Sequence, residues 1–404
     1  VKQAHPKNLY SNRCDDKEIG APTMTIERPK SPNTSEIPPL FKAFPGLEKN
    51  IKHVHLGNLP TPISQVKKLA KELSLKKLYI KCDNLIGPSN PDGSRIFGGN
   101  KVRKLEYLLA DALHAKAKSV ITIGDAGSNH ALATSIYAKR LGLEATIMLT
   151  PQIPTAYTRR NLLLDLYHGT DIRYFQTEKE RDLAIVQFKK QQEHSYTIPM
   201  GGSNYLGSIG FVNAAFELKE QILAGQLHEP DIIYITLGSA GMAAGLILGL
   251  KAAGLSCKVI PVRISATNEY KKQRLLQLIN QTSAYLHSYD QTFPLTTYTE
   301  KDINIENDFV GPGYASTTEE ASHAIELLEA AENIKLDGTY TGKTFAALVA
   351  HAKKEILQDK TVLFWKSLSA GKYEKLTCQV DYKKLPKELH AYFESPLQKL
   401  DRGF

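Results

Sequence analysis

The chain has 404 residues, 42% hydrophobic and 23% charged, so it holds enough apolar material for an ordinary globular core and is not a disordered protein. Lys and Arg number 51 against 42 Asp and Glu, a formal charge of +9, but the basic residues are scattered and form no arginine-rich or aromatic-interleaved stripe, which argues against a nucleic-acid partner. No apolar run approaches the roughly 20 residues that cross a bilayer, no apolar N-terminal secretion segment is visible, and Cys14, Cys82, Cys257 and Cys378 stand too far apart for a zinc knuckle or a disulfide framework. The expectation is a cytoplasmic, reducing-compartment protein of two or three domain-sized units, with no membrane contact.

In chain order, residues 1–50 carry seven prolines among polar residues and read as an extended arm over a body. His53 and His55 alternate as on a strand with no third ligand suggested nearby, so no metal site is expected. Short β-rich runs then alternate with helical patterns: 78–81, 119–124, 145–150, 171–175, 196–200, 231–238, 258–264 and 361–365. That alternation predicts an α/β architecture of mainly parallel sheets flanked by helices. Leu105, Leu108, Leu109, Ala112 and Leu113 recur at helical spacing, as do the apolar positions of 211–224 and 242–252, and read as core faces. Four evenly spaced strands between 119 and 200, before a glycine cluster at 201–210, predict a compact unit of about 100 residues inserted into a larger one. A cleft between two such sheets would hold a ligand. The stretch 366–404 has weak periodicity.

Four segments can carry chemistry. In GGNKVRKLE at 98–106, two glycines and an asparagine lead into a helix whose first turn contains Lys101; a cleft that desolvates this amine would bring its pKa towards neutrality, whereas an unremarkable first-turn lysine sits at the surface. GDAGSNHALATS at 124–135 is a strand end, a turn and a helix start, where Ser128 and Asn129 either bind an anion with the exposed amides or simply cap the helix. Asp125 puts a negative charge beside that site. TLGSAGMAAGL at 236–246 repeats the strand, glycine turn and helix, able to wrap N–H groups around a phosphate, and matches neither GxxxxGK[ST] nor GxGxxG. Tyr314 in GPGYAS and Tyr340 in DGTYTGKTF are either proton-transfer groups or packing residues, and Thr341 is a hydrogen-bonding hydroxyl or a cap.

Taken in order, LPTPISQV at 59–66, LYIKCDNL at 78–85, GGNKVRKLEYLLADAL at 98–113, GSNHALATS at 127–135, GSAG at 238–241, GPGY at 311–314 and TYTGKTFAAL at 339–348 resemble the 1-aminocyclopropane-1-carboxylate deaminase and D-cysteine desulfhydrase family. These are fold type II pyridoxal-phosphate enzymes, tryptophan-synthase-beta-like. The resemblance spans roughly 55–365 and implies a two-domain fold: 51–104 with 209–404 as the large cofactor-binding domain, 105–208 as the small inserted one, and 1–50 as the arm. It further implies pyridoxal 5'-phosphate on Lys101 as a Schiff base, Asn129 on the ring 3'-oxygen, and Ser128 on the substrate carboxylate. Gly238, Ser239, Ala240 and Gly241 would cradle the phosphate, with Tyr314 and Tyr340 near the substrate and Thr341 under the pyridine nitrogen. Departures from the family pattern are Gly127 in place of glutamine, Ala240 and Met242 in place of a glycine and a hydroxyl residue, and Lys366, Ser367 and Leu368 in place of His-Thr-Gly-Gly. The arm and the insertion at 89–96 are long. The activity implied is β-elimination from a small amino acid, D-cysteine above all, by a homodimer; aminocyclopropane ring opening and a non-catalytic amino-acid-binding fold are the alternatives.

Overall fold

The computed structural model describes residues 37–90, 94–369 and 371–401. Most of the predicted arm, Cys14 and the centre of the 89–96 insertion lie outside those residues. Nine strands occur among the described residues: β1 Ile63–Val66, β2 Lys77–Lys81, β3 Ser119–Asp125, β4 Glu144–Thr150, β5 Asp171–Tyr174, β6 Ser195–Ile198, β7 Ile232–Leu237, β8 Lys258–Arg263 and β9 Thr361–Trp365. They form a five-stranded sheet in the order β1-β2-β9-β7-β8 and a four-stranded sheet in the order β5-β4-β3-β6. Every pairing is parallel except β1 with β2.

The β-branched runs explain the parallel sheets. All six side chains of β7 are buried, as are all five of β9, because helices cover both faces and leave no polar face to alternate with. β1 escapes the sequence pattern because it is an antiparallel edge strand with only Val66 buried. The helix Lys101–His114 joins the sheets: Leu105, Leu108, Leu109 and Ala112 share one core with Val120 and Ile198 of the smaller sheet, with Trp365 of the larger, and with Phe211 and Val212 of the helix Tyr205–Leu223. Leu113, predicted to face that core, is exposed at 38%.

Below this helix lies a buried ionic cluster. Arg103 donates to Asp83 at 2.8 and 2.9 Å and to Glu217 at 2.9 and 3.0 Å, Lys81 meets Glu217 at 2.5 Å, and the Trp365 indole donates to Asp83 at 2.8 Å. Burial alone would raise the Glu217 carboxyl, but the Arg103 and Lys81 charges hold it down to about 2. The cluster ties β2, β9 and the helices Lys101–His114 and Tyr205–Leu223 to one another, which fixes the rotation of the helix that starts at Lys101.

Two terminal regions differ from expectation. Residues 37–50 are not extended but form the short helices Pro39–Ala43 and Pro45–Asn50, each with proline at its start, where its fixed φ suits a helix, and they bury Leu40, Phe41 and Leu47. At the other end, 381–401 packs on the helix Ala156–Tyr167: the Arg159 guanidinium donates to the carbonyls of Tyr392 at 2.7 Å and Ser395 at 2.5 Å, and Asp401 accepts the Ala156 N–H at 2.7 Å.

Candidate active site

Between the two sheets is a cleft of about 1120 Å³. Lys101, Ser128, Asn129, Gly238, Ser239, Ala240, Tyr314 and Tyr340 all line it, although they come from five separate segments of the chain. Strands of a parallel sheet end on one side and hand over to helices there, so strand-to-helix turns gather at a common rim.

Lys101 is the first residue of its helix, and burial lowers its pKa to about 8. The glycine before it is needed as glycine: Gly99 has φ 88°, and a Cβ there would lie 2.6 Å from the carbonyl oxygen of Ser367. That carbonyl accepts the Asn100 N–H at 2.8 Å, so the Ser367 backbone pins the turn even where the side chains at 366–368 depart from the family pattern. Lys104, one turn on, also faces the cleft. Its ammonium donates to the Gly201 carbonyl at 3.0 Å and to Ser203 Oγ at 2.9 Å, and burial followed by the Lys101 charge pushes its pKa well below the ordinary value.

The turn after β7 leads into the helix Gly241–Ala252. Ala240 holds a left-handed φ of 70°, a conformation that strains a residue with a Cβ. Ser203 Oγ lies 2.7 Å from Ser239 Oγ and accepts the Gly241 N–H at 3.2 Å, while Lys271 Nζ donates to the Gly238 carbonyl at 2.5 Å. Burial lowers the Lys271 pKa to about 8. A helix start and two lysines therefore surround this turn, and Arg274 lines the cleft beside it. Gly241 itself is not at the cleft surface.

On the facing wall, Ser128 is the N-cap of the helix Asn129–Arg140, accepting the Ala131 N–H at 3.2 Å, so the capping role is real. Asn129 Oδ1 accepts from Asn161 Nδ2 at 2.9 Å, but its Nδ2 is buried with no partner, and so is His130 Nδ1. Burial, followed by the charges of Lys101 and Lys104, holds the His130 pKa well below its usual value. Asp125 lines the cleft and accepts from Thr150 Oγ1 at 3.2 Å; burial raises its pKa.

The hydroxyls of Tyr314 and Tyr340 hydrogen-bond each other, with ring centroids 6.0 Å apart, and burial pushes both pKa values well up. Two residues that sequence reasoning missed hold the pair. The Asp337 carboxylate accepts the N–H groups of Thr339, Tyr340 and Thr341, and Lys343 Nζ donates to the carbonyls of Val310 at 2.6 Å and Gly313 at 2.9 Å, beside Tyr314. Thr341 is not in the cleft wall. Its hydroxyl is spent on Asp337, donating to the carboxylate and accepting the Asp337 N–H at 3.0 Å. The wall hydroxyl in that region is Thr236, which shares a 2.7 Å hydrogen bond with Thr344.

Lys104, Ser203, Lys271 and Asp337 were not singled out from sequence. Lys104 had a signal, the i, i+3 spacing from Lys101, and Asp337 had one in standing just before the helix that starts at Thr341; Ser203 and Lys271 act through segments far away in the chain. The histidine pair does acquire a neighbour that the sequence did not suggest. His53, His55 and Glu106 bring ligand-type atoms within 4.8 Å of one another, although one Glu106 oxygen already accepts the N–H groups of Leu56 and Gly57 and the other lies 3.5 Å from His53 Nε2.

Comparison with known proteins points the same way as the cleft. The family described as "Pyridoxal-phosphate dependent enzyme" matches residues 54–367. D-cysteine desulfhydrase of Salmonella choleraesuis is 32% identical over 331 residues, covering 80% of this chain and 93% of that protein. The enzyme of the same name from Klebsiella pneumoniae is 31% identical over 326 residues, 78% of this chain and 91% of its own. Among solved structures, an ACC deaminase homologue superposes with a TM-score of 0.69 at 29% identity, covering 85% of this chain and all of that one.

Proposed function

Since the chain belongs to the pyridoxal-phosphate-dependent enzymes, we propose that it is a lyase that removes the β-substituent of a small amino acid, D-cysteine or a close relative, to give pyruvate, ammonia and, from D-cysteine, sulfide. The observation that carries this reading is the orphaned Asn129 Nδ2 in the same cleft as an amine brought near neutrality by burial. A buried donor without an acceptor costs stability unless a ligand satisfies it, and the 3'-oxygen of the cofactor is such an acceptor. The other groups fit as well: Lys101 to hold the cofactor covalently, and the 238–241 turn with Lys104 and Lys271 for its phosphate.

The bound cofactor supplies an electron sink for charge developing at Cα. This chain's residues supply the rest. Ser128 and the first amides of the helix Asn129–Arg140 bind the carboxylate and orient the Cα–H bond. Lys101 Nζ, once the substrate amine has displaced it from the cofactor, would be the base that takes the Cα proton. The Tyr314 and Tyr340 hydroxyls stay protonated because burial raises both, so the pair can donate a proton to the departing sulfur. The lining residues contributed by the larger sheet and its helices include no carboxylate, and Thr236 Oγ1 donates to the Tyr340 carbonyl at 3.4 Å. A pyridine nitrogen held against that side would meet no carboxylate to keep it protonated and would be less strongly electron-withdrawing, which suits loss of a good leaving group better than opening an unactivated cyclopropane. In this reading 105–208 is the small domain, 51–104 with 209–404 the large one, and the working unit a homodimer in the cytoplasm.

The test is a side-by-side product assay. D-cysteine should give sulfide and pyruvate, aminocyclopropane carboxylate little or no 2-oxobutyrate, and Lys101→Ala neither. Efficient 2-oxobutyrate formation with D-cysteine inert would sink the substrate assignment, and full activity in Lys101→Ala would sink the site.

A further inference from the structure

Gly127 stands one residue before Ser128 and has no side chain to hold its own turn. The space beside it is already filled. A Cβ at 127 would lie 2.6 Å from Thr158 Oγ1, 2.8 Å from Gln152 Nε2 and 2.9 Å from Tyr157 Cε2, all too close for an unchanged structure. The occupant that reaches back to the turn is Gln152, from the segment between β4 and the helix Ala156–Tyr167. Its Oε1 accepts the Gly127 N–H at 2.8 Å. Its Nε2 donates to Thr158 Oγ1 at 2.8 Å and to the Tyr157 hydroxyl at 3.3 Å. Tyr157 belongs to the tyrosine cluster: its ring centroid is 6.2 Å from that of Tyr340, and its hydroxyl interacts with Tyr314 and Thr339. One carboxamide thus connects the turn carrying Ser128 and Asn129 to the tyrosine pair on the opposite wall.

Gln152 is itself held from behind. The Tyr392 hydroxyl accepts the Gln152 N–H at 2.9 Å and donates to the Gln152 carbonyl at 3.1 Å, so both backbone groups of that residue are taken by one side chain. Tyr392 is buried, and its own carbonyl is clamped by Arg159. It also lies beyond residues 54–367, the part of the chain shared with the family. The support therefore comes from a C-terminal segment outside the family match.

We propose that Gln152 is the positioning residue of the substrate-carboxylate seat, replacing from a neighbouring segment the side chain that position 127 lacks, and that Tyr392 sets its place. The inference rests on the functional reading above, in that the seat is taken to bind an amino-acid carboxylate. On the opposite side of the turn, Asn161 Nδ2 donates to the Gly127 carbonyl at 2.9 Å, so Gln152 and Asn161 hold Gly127 from its N–H and C=O sides. Without Gln152 the turn keeps its cap and loses half of this grip.

The experiment compares holoenzyme of the native chain with Gln152→Met, which keeps the volume and removes the hydrogen bonds, and with Tyr392→Phe. Two quantities are read: KM and kcat for D-cysteine, and calorimetric affinity for D-alanine, which has the carboxylate and amine but no leaving group. Gln152→Met should raise KM and weaken D-alanine by roughly tenfold, the scale of one or two net hydrogen bonds, with kcat changed less than about twofold. Tyr392→Phe should do the same to a smaller extent. A variant that only melts earlier, with KM and D-alanine affinity unchanged, overturns the inference and leaves the lyase reading intact. Native protein that binds D-alanine but turns over nothing overturns the lyase reading, and the D-alanine comparison then still decides the role of Gln152. Native protein that binds no amino acid overturns both.

Discussion

At the scale of single residues, Lys101 and its neighbours show how burial prepares a site. Its folded pKa of about 8 lies below the ordinary 10.5, so between those values the folded protein holds fewer protons than the unfolded chain. The neutral amine is the form that can bond to an aldehyde, and its fraction grows as pH rises through 8. Cofactor-free protein mixed with pyridoxal phosphate should therefore load faster with rising pH, levelling off about one unit above 8, as followed by the growth of visible absorbance. A loading rate flat from pH 6.5 to 9 would show that burial does not set the state of this amine. Lys101 in turn acts on its neighbour one turn on, since its charge adds to burial in pushing the Lys104 pKa well below the ordinary value.

At the scale of elements, the rotation of the helix Lys101–His114 decides whether Lys101 and Lys104 meet the cleft, and the ionic cluster beneath decides the rotation. Removing one charge from it leaves the others buried and unpaired, which typically costs about 3–5 kcal/mol. Glu217→Gln should lower the urea midpoint accordingly, and a change below about 1 kcal/mol would show that the cluster relaxes without strain. The sign with pH is also defined: with its folded pKa at about 2 against an ordinary 4.5, Glu217 stabilises above pH 4.5 and loses that contribution as pH falls towards 2. Much of this level is legible in sequence. β7 and β9 are continuous apolar runs, and Leu105, Leu108 and Ala112 announce their helix. β1 is not legible, being a polar edge, nor is the helical state of 37–50, where proline reads as a breaker until one sees it at the first helical position. Of the cleft, the residues next to glycine turns were visible. Ser203, Gln152 and Lys271 were not, because each acts on a segment it meets only after folding; Asp337 acts locally, on the N–H groups of Thr339, Tyr340 and Thr341, and was passed over beside Gly338.

At the scale of the whole molecule, the two sheets differ in how the chain builds them. β3 to β6 come from one unbroken stretch, whereas in the five-stranded sheet β9, from 361–365, is the strand between β2 and β7. Refolding followed by pulsed hydrogen exchange should accordingly protect β3 and β4 amides before those of β7 and β9, and simultaneous protection would argue for a single cooperative step. In a cell the same order has a consequence on the ribosome. Translation at 5–20 residues per second separates the emergence of β2 from that of β9 by roughly 15–60 s, and that of β7 from β9 by roughly 6–26 s, so one apolar edge of each waits without the strand that will join them. A nascent chain in that interval is a client for whatever shields unpaired strands, and a stop or frameshift between β6 and β9 releases a polypeptide whose smaller sheet can form but whose cleft can never close.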